Sequence, residues 1–217
     1  MLDYESLYSL RYQVYCHEAH FLDPDDYFDG LEYDEFDAFS EHFLARNPDS
    51  NDEVVGTVRL VRWSEYLTFP TVMHFKSLLK QLSRLKFPLE SSAEISRLCI
   101  TKQYRRRTMD GLIGAGGYTD KSDNRRKFPV VLLELFKNMY LASRYALGIT
   151  HWIATFEDSL YRLLERYGVH FNLLIQEEID YYGKVKIYGA SLSHLEEEMK
   201  KRRPDLFAFF CEQLEYT

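Results

Sequence analysis

Ala93-Glu94-Ile95-Ser96-Arg97-Leu98-Cys99-Ile100-Thr101 (AEISRLCIT) reads as a strand that carries an acid and a base within apolar surroundings. A spacing of three puts Glu94 and Arg97 on opposite faces of a regular strand, so only a β-bulge would turn them the same way. Towards the N-terminus, residues 73–84 read as a short helix. EHFLARNPDSNDEVVGTVRLVRW reads as a hairpin of strands 41–46 and 53–62 around an Asn47-Pro48-Asp49-Ser50 turn. Residues 21–40 read as a long acidic loop, and 3–16 as a first helix with Leu7, Leu10 and Val14 on one side. Towards the C-terminus comes a basic loop over 102–127. Phe128-Pro129 then opens a helix to about 147, with proline suited to its first turn. A strand over 149–156 and a helix over 158–167 ending at Gly168 follow. Strands over 169–176 and 184–192, a charged helix and an aromatic FAFF segment complete the chain. Hairpins early and one strand–helix–strand crossover in the middle predict a mixed α/β (α+β) fold, expected to form one domain over 1–217.

The composition excludes several classes. The chain has 217 residues, 46% hydrophobic and 28% charged, which suits a globular core and not a disordered tail or a fibre. Three cysteines leave one unpaired in any disulfide scheme and favour a reducing, cytoplasmic setting. The N-terminus carries no signal pattern and no apolar run approaches membrane-spanning length, so no stable membrane insertion is expected. The net charge of −7 speaks against a nucleic-acid binder and conceals an asymmetry. Residues 1–53 hold 15 Asp/Glu against Arg11 and Arg46, whereas 102–127 holds eight Lys/Arg against three Asp. Such a division suits two charged ligands of opposite sign.

Three segments stand out chemically. Glu32-Tyr33-Asp34-Glu35-Phe36-Asp37 sets carboxylates between aromatics, a pattern able to hold a cationic amine or pair with arginines. Gly56-Thr57-Val58-Arg59-Leu60 places an arginine inside an apolar strand, where an unpaired charge is very costly. The third is Glu94-Ile95-Ser96-Arg97. Together with Arg11 and Tyr15, Phe21, and Phe75 ahead of Leu78-Leu79, these segments resemble, in order and spacing, the acyl-homoserine lactone (autoinducer) synthase family over roughly the first hundred residues. Phe21 stands where that family usually has Trp. RYQVYCHEAHFLDPDDY, the uninterrupted EISRLCI and the Arg105–Arg107 run resemble more closely a related group: the N-acyl amino acid synthases and the acyltransferases that accompany PEP-CTERM/exosortase systems.

The resemblance implies a GNAT-like fold, a mostly antiparallel central sheet flanked by helices. It implies transfer of a fatty acyl group from the phosphopantetheine thioester of acyl carrier protein to an amine, with acyl-CoA as an alternative donor and no tightly bound cofactor. Glu94 is then the expected catalytic base, through a water, acting on a small amine or amino-acid acceptor. Arg11, Tyr15, Phe21, Asp34, Asp37, Arg59, Phe75 and Arg97 are the expected substrate-binding group. An acceptor carboxylate would need a free cation, for which Arg59 and Arg107 are candidates. Arg105, Arg106 and Arg107 are expected to meet the carrier's acidic surface or its phosphate. Gly114-Ala115-Gly116-Gly117 is a poor substitute for the pyrophosphate loop of coenzyme A-dependent GNAT enzymes, which speaks against an acetyl-CoA-dependent acetyltransferase.

Two alternatives stay open: an autoinducer synthase using S-adenosylmethionine, and a non-catalytic carrier- or lipid-binding module of the same fold. No metal site is expected, because Cys16, His17 and His20 lack a second ligand pair at zinc spacing. Cys99 reads as a buried small hydrophobe and His151 as a core histidine.

Overall fold

In a computed structural model, which describes residues 3–105 and 130–212, six strands form one mixed, mostly antiparallel sheet in the order β1-β2-β3-β4-β6-β5. The strands are β1 Ser40–Asn47, β2 Glu53–Arg62, β3 Ser92–Ile100, β4 His151–Phe156, β5 Asn172–Asp180 and β6 Lys184–Ser191. The helices are α1 Tyr4–Tyr12, α2 Pro70–His74, α3 Lys76–Arg84, α4 Lys102–Arg105, α5 Val130–Leu141, α6 Asp158–Arg166, α7 Leu192–Arg202 and α8 Pro204–Cys211. Among the described residues no helix is long and apolar enough to cross a membrane. The chain divides into two compact units, Met1–Leu60 with Ser96–Phe136, and Val61–Ile95 with Lys137–Thr217.

In the first unit, Asp3 caps α1 by accepting from the Ser6 N–H at 3.0 Å. The helix widens into a π-turn over Gln13–Glu18, closed where the Ala19 N–H reaches the Val14 carbonyl at 2.9 Å. Leu10 and Val14 of this segment pack with Val54 and Cys99, flanked by Tyr15 and Leu44. Strand β2 is buried from Val54 to Val61, a central strand with both faces covered. Gly56 lies against the first turns of α5: a Cβ there would stand 2.9 Å from Val131 Cγ1 and 3.3 Å from Ile100 Cγ1.

In the second unit, β3 and β4 run parallel from Ser92↔His151 to Ile95↔Ala154, the pair joined by the expected crossover. β4 pairs antiparallel with β6 along its whole length, from His151↔Ser191 to Phe156↔Lys186. The core centres on Trp152, stacked on Phe171 at 6.4 Å, with its indole N–H donating to Ser143 Oγ at 3.0 Å. At the C-terminal side Lys137 is buried with its ammonium 4.2 Å from the Phe209 ring centre.

Two element boundaries differ from expectation. The helix expected over 73–84 is two helices: Pro70 opens α2 three residues early, and Phe75 (φ −122°, ψ 79°) separates it from α3. The strand expected over 169–176 begins at Asn172 and runs to Asp180. Val169 closes the end of α6 instead, its N–H on the Leu164 carbonyl beyond Gly168 (φ 77°), while two register shifts against β6 carry β5 past Gln176. Position 56 leaves no room for a side chain, because a stiff β-branched neighbour cannot turn away. Gly56→Val is expected to lower stability by about 1–3 kcal/mol, read as an earlier urea midpoint. An unchanged midpoint would mean that α5 does not rest on this glycine.

Candidate active site

The acidic segment singled out in the sequence folds as a tight turn. Asp34 accepts from the Phe36 N–H at 2.9 Å while Asp37 accepts from the Asp34 N–H at 2.8 Å, a reciprocal capping box over the 3-10 turn Glu35–Phe39. That leaves both carboxylates facing arginines. Arg11, on α1 and fully buried, donates to the Glu32 carboxylate and forks onto Asp37 at 2.7 and 3.2 Å. Arg59, on β2, donates to Asp37 at 2.9 Å, to Asp34 through two nitrogens and to Ser96 Oγ at 3.0 Å. Arg97 donates to Glu32 and to Asp34, each at 2.9 Å.

These three arginines and three carboxylates balance one another. Leaving one charge unpaired at such depth would cost several kcal/mol, so each member depends on the rest. It follows that Arg59, expected as a candidate free cation for an acceptor carboxylate, is committed to Asp34, Asp37 and Ser96.

Arg97 reaches this cluster through its backbone. Its φ of 51° is left-handed, which interrupts the regular alternation of β3 and re-aims the side chain. Its guanidinium lies 5.6 Å from the centre of the Tyr15 ring. Tyr15 in turn donates to the Leu98 carbonyl at 3.1 Å and stands 6.2 Å from the Phe21 ring. Thus Arg11, Tyr15, Phe21, Asp34, Asp37, Arg59 and Arg97 gather in the first unit. Phe21 is the most open of them, at 37% exposure.

Electrostatics fix the protonation states. Burial pushes the Asp37 carboxyl up, but the Arg11 and Arg59 guanidinium groups prevail and hold it at about 2. Burial likewise works against the charge on Arg11, and the Glu32 and Asp37 carboxylates overcome it. Burial pushes the Cys99 thiol up to about 12, so it stays protonated and is no nucleophile. His42, on β1, sits with Nε2 3.6 Å from Asp37 between the edges of Tyr4 and Tyr8, and neither ring nitrogen has a hydrogen-bond partner. Burial lowers its pKa more than Asp37 raises it, so it is held neutral.

In the second unit Glu94 is buried on β3, with a relative exposure of 1%. Its carboxylate accepts from Thr71 Oγ1 at 2.7 Å and from the Thr71 N–H at 3.2 and 3.0 Å. Phe75 stands at the junction of α2 and α3, 6.0 Å from the Tyr181 ring. Burial lowers the pKa of His151, whose Nδ1 lies 2.9 Å from Thr150 Oγ1. Cys16 is buried, its carbonyl 3.1 Å from His20 Nδ1, and among the described residues no group of three potential ligands could hold a metal. The backbone of Arg105 ends α4, while Arg106 and Arg107 lie outside the described residues.

Sequence reasoning missed Glu32 and Thr71. Glu32 opens the acidic segment, and its place ahead of Asp34 and Asp37 was the available signal. Thr71 follows a proline in an unremarkable stretch and gave none.

The buried pairs predict a two-step acid response. His42 is favoured neutral, so its contribution is complete above 6.5 and is lost as pH falls below that value. Asp37 is favoured ionised, so its contribution, about 2 kcal/mol, persists above 3.8 and is lost as pH falls towards about 2. Thermal melts against pH are expected to show both limbs. His42→Phe should shrink the upper limb and leave the share of His151, whose pKa burial also lowers, whereas an upper limb unchanged by the substitution would assign it elsewhere.

Residues 10–114 match the family model of the acetyltransferase (GNAT) domain. No curated protein matches the chain by sequence. In structure the chain is similar to TofI, solved in a ternary complex with an inhibitor and MTA, at a TM-score of 0.61 and 16% identity over 95% of both chains. It is also similar to BjaI, a CoA-dependent acyl-homoserine lactone synthase solved with SAM and isopentyl-CoA, at 0.59 and 18% over 95% of this chain and 90% of that one. FeeM, an N-acyl amino acid synthase from uncultured soil microbes, gives 0.56 and 13% over 91% and 90%. The matched domain covers 105 of the 217 residues, and the structural likeness extends over nearly the whole chain, so the chain shares the fold of these GNAT-like enzymes.

Proposed function

We propose that this chain is an N-acyltransferase that moves a fatty acyl group from the thioester of acyl carrier protein to the amine of an amino acid or a related small molecule, in the manner of the N-acyl amino acid synthases tied to PEP-CTERM/exosortase systems. The observation that carries this reading is Glu94, a buried carboxylate on β3 that accepts from the Thr71 hydroxyl and N–H. In the proposed reaction a neutral amine attacks the thioester carbon, so that the C–N bond forms and the C–S bond breaks. Glu94 accepts the amine proton through a water, and that proton passes on to the departing thiolate, which leaves as the free thiol and returns Glu94 to its ionised form. A backbone N–H of β3 receives the negative charge that develops on the carbonyl oxygen.

The ion-pair network of Arg11, Asp34, Asp37, Arg59 and Arg97 in the first unit is assigned to ordering the acceptor, and Tyr15, Phe21 and, in the second unit, Phe75 are assigned to apolar contacts with the acyl group or the acceptor. The excess of cations in the sequence over 102–127, Arg105, Arg106 and Arg107 among them, supports a carrier as donor, because acyl carrier protein is acidic. Cys16, Cys99 and Cys211 are all free thiols, which suits the cytoplasm. A second reading, an autoinducer synthase that cyclises its product, draws on the likeness to TofI and BjaI.

Mass spectrometry of lipid extracts from cells expressing the chain or its Glu94→Gln variant separates these readings. Open-chain N-acyl amino acids are expected with the wild type, and a fall of about 100-fold or more in the variant. Acyl-homoserine lactones would favour the second reading, and amide formation that survives Glu94→Gln would remove Glu94 as the base.

A further inference from the structure

We propose that Thr71 is the positioning residue of the transfer: its hydroxyl and its N–H together fix the orientation of the Glu94 carboxylate and keep it ionised to accept a proton. The inference rests on the reading of Glu94 as the base. Thr71 is fully buried, and both of its donors are directed at a carboxylate 23 residues away. Its hydroxyl reaches Oε1 at 2.7 Å, and its N–H reaches Oε2 at 3.0 Å.

The local sequence explains why the N–H is available. Phe69 stands at the cap position of α2 without a capping side chain, and Pro70 has no N–H to offer. Thr71 therefore supplies the first backbone donor of α2, and Glu94 meets it from β3. A capping carboxylate needs only that N–H. The hydroxyl adds a second donor to the other oxygen, and two donors on two oxygens remove the carboxylate's freedom to rotate about its last bond. The β-branch of Thr71 stiffens this hold, because few rotamers are open to it in a helix.

The chemistry of the contact points the same way. Burial disfavours the charged form of a carboxyl, whereas hydrogen bonds donated to the carboxylate favour it. Every contact from Thr71 donates, so Thr71 acts against the burial of Glu94 and holds it as an acceptor. Because Thr71 works through Glu94, its loss should alter turnover and its pH dependence more than substrate affinity.

The test uses the full chain with 13Cδ-labelled glutamate, in which the Glu94 signal is the one that disappears in Glu94→Gln. Thr71→Val is expected to raise the pH at which Glu94 titrates by about one unit, the worth of one hydrogen bond to a charged group. With palmitoyl-loaded acyl carrier protein and a mixture of the twenty amino acids, the same variant should lower kcat about tenfold and move the acid limb of the profile upward with the titration, leaving the KM for the carrier nearly constant. Thr71→Ser, which keeps both donors, should restore the titration and the rate. Thr71→Ala keeps the backbone donor and replaces Thr71→Val if that variant does not fold. A Glu94 signal that titrates at the wild-type pH in Thr71→Val overturns the proposal. Full activity in Glu94→Gln overturns the base reading instead, and is distinguishable because the Thr71→Val titration is read without any turnover.

Discussion

Arg11 and Arg59 meet on a single carboxylate oxygen of Asp37, at 2.7 and 2.9 Å, and the first unit is organised by what that meeting requires. Two cations on one acceptor repel each other unless further negative charge stands nearby, and Asp34 and Glu32 supply it. The requirement propagates into the backbone. It asks for a turn tight enough to bring residues 34 and 37 together, which the capping box provides. It asks for an arginine on a strand buried on both faces. It also asks β3 to hold Arg97 in a left-handed conformation that costs about 1–3 kcal/mol in isolation. The buried arginine and the left-handed Arg97 are unfavourable alone. They persist because removing one would strand its partners away from water.

The second unit meets a similar problem with different means. Glu94 is as deeply buried as the ion-paired acids, yet Thr71 answers it with neutral donors. A carboxylate matched by a guanidinium in fork geometry is held down as a base, as Asp37 is at about 2. The two units thus show two ways of holding a buried carboxylate, with guanidinium forks in one and with the hydroxyl and N–H of Thr71 in the other.

The sequence made much of this legible because charge is conspicuous where it should not be. Arg59 inside an apolar strand and Arg97 three residues after Glu94 both required partners, and the acidic loop over 21–40 was a dense source of them. The same reasoning reached a mixed sheet with one crossover, since periodicity distinguishes strands from helices. It did not reach Glu32, whose burial depends on the path of the loop around α1, where its N–H meets the Tyr8 carbonyl at 3.1 Å. Nor did it reach Thr71 or the interruption at Phe75, because a threonine after a proline acquires meaning only once β3 lies beside it. The start of β5 was misjudged for a related reason: Val169 and Phe171 look like strand residues and are in fact core fillers, each fully buried.

The span of the ion-pair network along the chain bears on how the protein is made. Arg11 pairs across 26 residues and Arg97 across 65, so the acids of the Glu32–Asp37 turn find their full complement only after most of the first hundred residues are available. On the ribosome residues 1–53, with 15 carboxylates against two arginines, emerge before Arg59 and Arg97. Such a segment repels itself and stays expanded while it waits for Arg59 and then Arg97. Nascent chains of this protein are therefore committed late, and the arrival of Arg97 marks the point after which the N-terminal region has a reason to collapse.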